Sequence, residues 1–82
     1  MKTIKEVIEK SDRSTEALFK CLEYIKENGD IVVVKIDGER PENQYTVFVS
    51  FPNYRQRGLI RADENTLNDA ILKVLIAYVE EG

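Results

Sequence analysis

Histidine and tryptophan are absent from this chain, and cysteine occurs once. Those absences remove whole classes of chemistry. Without histidine or a second thiol, one chain cannot assemble the usual Cys/His zinc site. Cys–His and Ser–His–Asp nucleophile systems are excluded on the same ground. A lone Cys21 forms no intramolecular disulfide, which fits a reducing compartment. The four glycines, Gly29, Gly38, Gly58 and Gly82, are scattered, so no glycine-rich phosphate cradle exists. The longest apolar runs, Ile31 to Val34 and Val74 to Ala77, are far too short to span a bilayer. Met1 to Glu6 leads into a charged amphipathic segment and not the apolar core of a signal peptide. The expected location is therefore cytoplasmic, with no membrane partner.

What remains is the composition of a small globular domain. Eighty-two residues, 43% hydrophobic and 33% charged, suit one domain over 1–82, near the lower size limit for folding without disulfides or metal. The net charge of −3 works against a non-specific nucleic-acid binder. Carboxylate pairs such as Asp63-Glu64 and Glu80-Glu81 read as a helix start and a helix tail. No EF-hand spacing is present. With so little acid–base chemistry available, the expectation is a protein that is not an enzyme, with no catalytic residue, no metal site and no cofactor.

The hydrophobic pattern predicts helix, three strands, helix. Thr3-Ile4-Lys5-Glu6 fits a capping box. Apolar positions follow at Ile4, Val7, Ile8, Leu18, Leu22 and Ile25, with Ser11 and Thr15 interrupting the stripe. The reading favours a break at Ser11-Asp12-Arg13-Ser14, with Ser14 capping a second helix and Asn28-Gly29-Asp30 ending it. Cys21 falls beside the stripe as a half-buried, inert thiol. Ile31 to Ile36 is β-branched and predicts a strand. Gln44 to Phe51 alternates at period two, the clearest strand signal in the chain. Leu59 to Ala62 is a short third strand. Asp63 or Asn65 then caps a final helix running to about Val79. The fold class is α+β in α-β-β-β-α order: a three-stranded antiparallel sheet with two or three helices packed on one face.

Alternation sorts the strands into two faces. Tyr45, Val47, Val49 and Phe51 share one with Val32, Val34, Ile36, Ile60 and Ala62, and its apolar character predicts that it carries the helices. The other face holds Ile31, Val33, Lys35, Thr46, Phe48, Ser50, Arg57, Leu59 and Arg61. From 41 to 62, three arginines stand against Glu42, a net +2 within an acidic chain. The candidate partner-binding residues are Val33, Lys35, Phe48, Tyr54, Arg55, Arg57, Leu59 and Arg61. Arginine beside aromatic rings docks an acidic protein surface or stacks and pairs with nucleic acid. A protein partner is the favoured reading, and a nucleic-acid-binding module using Arg55, Arg57 and Arg61 is the alternative. A solvated face with aggregation-blocking charges explains the same residues with no partner at all.

The final helix is apolar over about twice the ~100° stripe that a surface helix needs. Leu67, Ala70, Ile71, Val74, Leu75 and Tyr78 form one arc, and Leu72, Ile76 and Val79 widen it. Contact with both the sheet and the first helix accounts for the width. A homodimer contact through Leu72, Ile76 and Val79 is the sharper reading, since a chain this small gains stability by association.

Tyr45-Thr46-Val47, Phe51-Pro52, Gly58 and Thr66-Leu67-Asn68-Asp69-Ala70, spread over about residues 31–78, resemble the N-terminal domain of HicB-type antitoxins. The chain departs from that pattern where Pro52-Asn53 replaces a Pro-Gly pair, in the extra strand Leu59 to Ala62, and in the helix that precedes the first strand. The resemblance implies a protein that neutralises a partner by binding it, an inhibitor, antitoxin or immunity protein. It assigns no individual binding residue. The α-β-β-β-α order is also similar to that of double-stranded-RNA-binding domains, but Asp63, Glu64 and Asp69 stand where basic residues would be expected.

Overall fold

A computed structural model of the chain describes residues 4–9, 14–53 and 58–81. Its elements follow the order α1 (Ile4–Glu9), α2 (Thr15–Glu27), β1 (Ile31–Ile36), β2 (Tyr45–Ser50), β3 (Ile60–Glu64) and α3 (Leu67–Glu81). The predicted capping residue Thr3 lies outside the described residues, as do 10–13. Beyond them, α2 begins where Ser14 predicts. The Ser14 hydroxyl accepts a hydrogen bond from the Ala17 N–H at 3.2 Å, satisfying a donor that the first turn leaves free.

Leu18, Cys21, Leu22 and Ile25 form the buried stripe of α2, at the i, i+3, i+4, i+7 spacing of one helix face. Cys21 is fully buried and not half-buried as its position beside the stripe suggests. Burial pushes its thiol pKa up, so it stays protonated and inert. The helix ends in a Schellman motif. The Gly29 N–H donates to the Lys26 carbonyl at 2.9 Å and the Asp30 N–H to the Ile25 carbonyl at 3.4 Å. Gly29 takes φ +88°, where a side chain would be strained.

The strands form an antiparallel meander in the order β1-β2-β3. Its register sets Val34 opposite Val47 and Val47 opposite Ala62 on one face, and Val33 opposite Phe48 and Phe48 opposite Arg61 on the other. Short connections explain the meander, because hairpin loops join antiparallel neighbours directly. The predicted face assignment holds in the register. All three described helices belong to one side of the sheet, where α3 packs on β2 and β3, α2 packs on β1, and the helices pack on one another. Between them lies a core of Leu18, Leu22, Ile25, Val47, Val49, Ile60, Ile71, Val74 and Leu75, among others.

Three further expectations need correction. The helix-side face of β1 is not covered throughout: Val32 packs against the core, but Val34 is 37% and Ile36 66% exposed. The long helix α3 sits over β2 and β3, and the cover from α2 gives out along β1. The third strand runs from Ile60 to Glu64, starting one residue and ending two residues later than its apolar pattern predicts, because Asp63 and Glu64 still have pairing partners in Thr46 and Tyr45. Finally, α3 is capped by Thr66, whose hydroxyl accepts from the Asp69 N–H at 3.2 Å, and not by Asp63 or Asn65. Those two side chains are engaged elsewhere.

At the other end of the molecule, Tyr78 ties α3 to the end of α2. Its hydroxyl donates to Asp30 Oδ2 at 2.8 Å and accepts from Asn28 Nδ2 at 3.0 Å, while its ring stacks on Phe51.

Candidate functional site: the open face of the sheet

Phe48 lies between Val47 and Val49, so its side chain takes the face opposite theirs. Val47 and Val49 are completely buried, and Phe48 is half-buried. Directly beside it in the register are Val33 and Arg61, at the cross-strand spacing where side chains touch. Ile31, 48% exposed, and Leu59, 57% exposed, extend the apolar surface along the two flanking segments. Lys35 and Arg61, both exposed, stand at its rim. None of the described helices covers this side.

One end of the face is organised by a network that sequence reading missed. The loop between β1 and β2 folds back so that Arg40 reaches Asp63 on β3, Nη1 to Oδ1 at 2.9 Å. Arg61 approaches the same carboxylate, Nε to Oδ2 at 3.1 Å and Nη2 to Oδ1 at 3.2 Å. Between them, Thr46 donates its hydroxyl to Asp63 and accepts from Arg40 Nη1 at 3.2 Å. Thr46 is only 2% exposed although it belongs to the open face, because the loop and the ion pairs lie over it. These donors, Arg61 first, then Thr46 and Arg40, hold the Asp63 carboxyl far below the ordinary carboxylate range, since each favours the charged form.

The loop itself is fastened at three further points. Asp37 accepts from the Glu39 N–H at 3.0 Å, an Asx turn, and holds Lys35 at 3.5 Å and Arg40 at 3.3 Å. Asn43 adopts φ +52°, a left-handed conformation that asparagine tolerates, and its N–H donates to Asn65 Oδ1 at 2.8 Å. Gln44 Nε2 donates to the Arg40 carbonyl at 2.7 Å. Asp37-Gly38 carries a turn signal in the sequence, whereas nothing local singles out Asn43 for positive φ beyond its residue type. The Arg40–Asp63 pairing spans 23 residues and had no local signature.

The consequence for electrostatics is direct. Lys35, Arg40 and Arg61 face Asp37 and Asp63, three cations against two anions, a local excess of +1. Arg61 is a partner in a paired network and not a bare cation. Of the residues singled out from sequence, Val33, Lys35, Phe48, Leu59 and Arg61 belong to this face or its edge. Tyr54, Arg55 and Arg57 lie outside the described residues. The second set, on α3, divides: Leu72 and Val79 are half-buried against the core, and Ile76 is exposed. Contact of α3 with the sheet and with both other helices accounts for most of that helix's apolar width.

Among the described residues, no group of three or more His, Cys, Asp or Glu side chains is placed to hold a metal ion, and no helix is long and apolar enough to cross a membrane. In comparisons with protein-family models, curated proteins and solved structures, nothing matches this chain.

Proposed function

We propose that this chain is a non-catalytic binding protein of the cytosol that neutralises a protein partner, in the manner of an inhibitor, antitoxin or immunity protein. The observation that supports it is the apolar strip of Ile31, Val33, Phe48 and Leu59 on a sheet face that none of the described helices covers, rimmed by Lys35 and Arg61. An apolar centre with a charged rim is the anatomy of a protein interface. The resemblance to HicB-type antitoxins points the same way. A nucleic-acid reading through Arg55, Arg57 and Arg61 draws less support. Arg61 directs its guanidinium to Asp63, and the whole chain carries −3, against the basic surface that phosphate binding requires.

The test is affinity capture from the source cells, with protein and nucleic acid both quantified, followed by the same capture with Phe48→Ala. A protein should be retained by the wild type, and the loss of one anchoring ring should weaken it by roughly thirtyfold or more. A catch of nucleic acid alone, or a protein catch indifferent to Phe48→Ala and Leu59→Ser, overturns the reading.

A further inference from the structure

The sheet has two edges, β1 and β3, and they are unlike. The Asp37 N–H donates to the Gln44 carbonyl at 2.8 Å, and 37 opposite 44 continues the register that runs from Ile31↔Ser50 to Ile36↔Tyr45. Hydrogen-bonded positions alternate along an antiparallel ladder. Residues 31, 33 and 35 therefore turn their backbone groups to β2, and Val32, Val34 and Ile36 turn theirs outward. The same alternation along the second ladder makes Arg61 and Asp63 the outward positions of β3. Those two carry charges paired with each other, and charge along an edge discourages strand addition. The outward positions of β1 carry only valine and isoleucine. They have no proline and no bulge, and Val34 and Ile36 are the side chains left open where the helix cover ends.

We propose that β1 pairs with β1 of a second copy of this chain, antiparallel about a twofold axis at Val34, joining two three-stranded sheets into one continuous sheet. The choice of occupant follows from the register. A twofold axis perpendicular to the sheet keeps helix side with helix side, so self-pairing matches only positions of like parity. Centred on Val34, it sets Val34 against its mate and Val32 against Ile36, and every outward residue of both strands meets another, each pair exchanging two hydrogen bonds. Centred one residue to either side, it sets an outward residue against Asp30 or Gly38, outside the strand. In the Val34 register the exposed side chains of Val34 and Ile36 close over Val34 and Val32 of the mate. Lys35 falls opposite Val33 on the other face, and its charge already has Asp37. One short edge is smaller than the roughly 800 Å² per partner of a standard interface, so the dimer dissociates on dilution.

The experiment is light scattering on the full chain over a concentration series, with amide hydrogen exchange at the two ends of the series. Mass should rise from monomer to dimer, and the amides of Val32, Val34 and Ile36 should slow as it does while those of Arg61 and Asp63 stay fast. Val34→Lys and Ile36→Lys, at positions already open to solvent, should each give a monomer at concentrations where the wild type is dimeric. Val34→Cys should form a crosslinked dimer under mild oxidation, since Cα atoms of such a pair lie about 5.5 Å apart, within disulfide range. Ile31→Cys, displaced along the strands from its mate, should not. A chain that stays monomeric throughout overturns the proposal. So does a dimer that survives both lysine variants, which would place the contact elsewhere, for instance at Ile76. If the lysine variants fail to fold, wild-type exchange decides: no concentration-dependent slowing at 32, 34 and 36 refutes the pairing.

Discussion

Two neighbouring residues of β2 make opposed demands on the fold, and truncating each tests the assignment of faces. Val49 is completely buried between the sheet and the helices. Val49→Ala removes two carbons, about 1.6 kcal/mol of transfer free energy at ~0.8 kcal/mol per CH₂. The cavity left in a tightly packed core raises the total to about 2–3 kcal/mol. Phe48→Ala removes far more of a side chain, and in a core it would cost about 3–5 kcal/mol. Phe48 is half-buried, however, and lies outside the core cluster, with Val33 and Arg61 beside it in the register. Its removal opens no closed cavity, so only the transfer term for a partly buried ring remains, about 1–2 kcal/mol. The larger deletion should therefore be the milder one. Urea denaturation followed by circular dichroism measures both, with unchanged slopes confirming that the unfolding reaction is the same. At about 4–8 °C per kcal/mol for a domain this size, the melting temperatures should separate clearly, with Val49→Ala the lower. If Phe48→Ala proves the more destabilising, the outer face is core, and the proposed interface goes with it.

Acid should find the Asp63 network. Its folded-state pKa lies below the ordinary value, so the stability it contributes is complete above the unfolded pKa of about 3.9 and declines as pH falls further toward the folded value. Asp63→Asn should be less stable than wild type near neutrality, and that gap should narrow below about pH 4. Urea midpoints at several pH values measure it, and a gap independent of pH refutes the assignment. Tyr78→Phe keeps the ring but removes the hydroxyl that donates to buried Asp30, leaving that carboxylate short of a partner. It should cost about 1–3 kcal/mol in the same assay, and a neutral result would show that Asp30 finds another donor.

Local rules carried the fold a long way. Ser14 and Gly29 marked the ends of α2 because capping and positive φ depend on residues within a turn of each other. Strand faces were legible because Gln44 to Phe51 alternates without a break. The failures share a different cause. Val34 shares a face with Val47 and Ala62, yet it is open, because alternation states which face a side chain takes and not how far a helix extends over that face. Asp63 reads as a helix cap when only its neighbours are seen. Its partners, Arg40 and Thr46, reach it through loop folding and strand pairing across 23 and 17 residues. The candidate site was legible as a set of apolar and basic positions on one face. Its charge was not, since Arg61 is balanced by an anion assigned to a different role.

The clasp of Tyr78 on Asp30 and Asn28 joins positions 48 and 50 residues apart, and it has a bearing on the order of assembly. The meander from β1 to β3 is built from neighbouring strands and can close early, since local contacts form first. Its helix side has little cover until α3 arrives. On the ribosome, a chain emerged only as far as Glu64 holds Val47, Val49, Ile60 and Ala62 without the helix that lies on them, and Asp30 without its hydroxyl donor. Such a half-clad sheet is the species most prone to aggregate. The last turns of α3 act as a latch that completes folding, and the interval before they emerge is when a chaperone has most to protect.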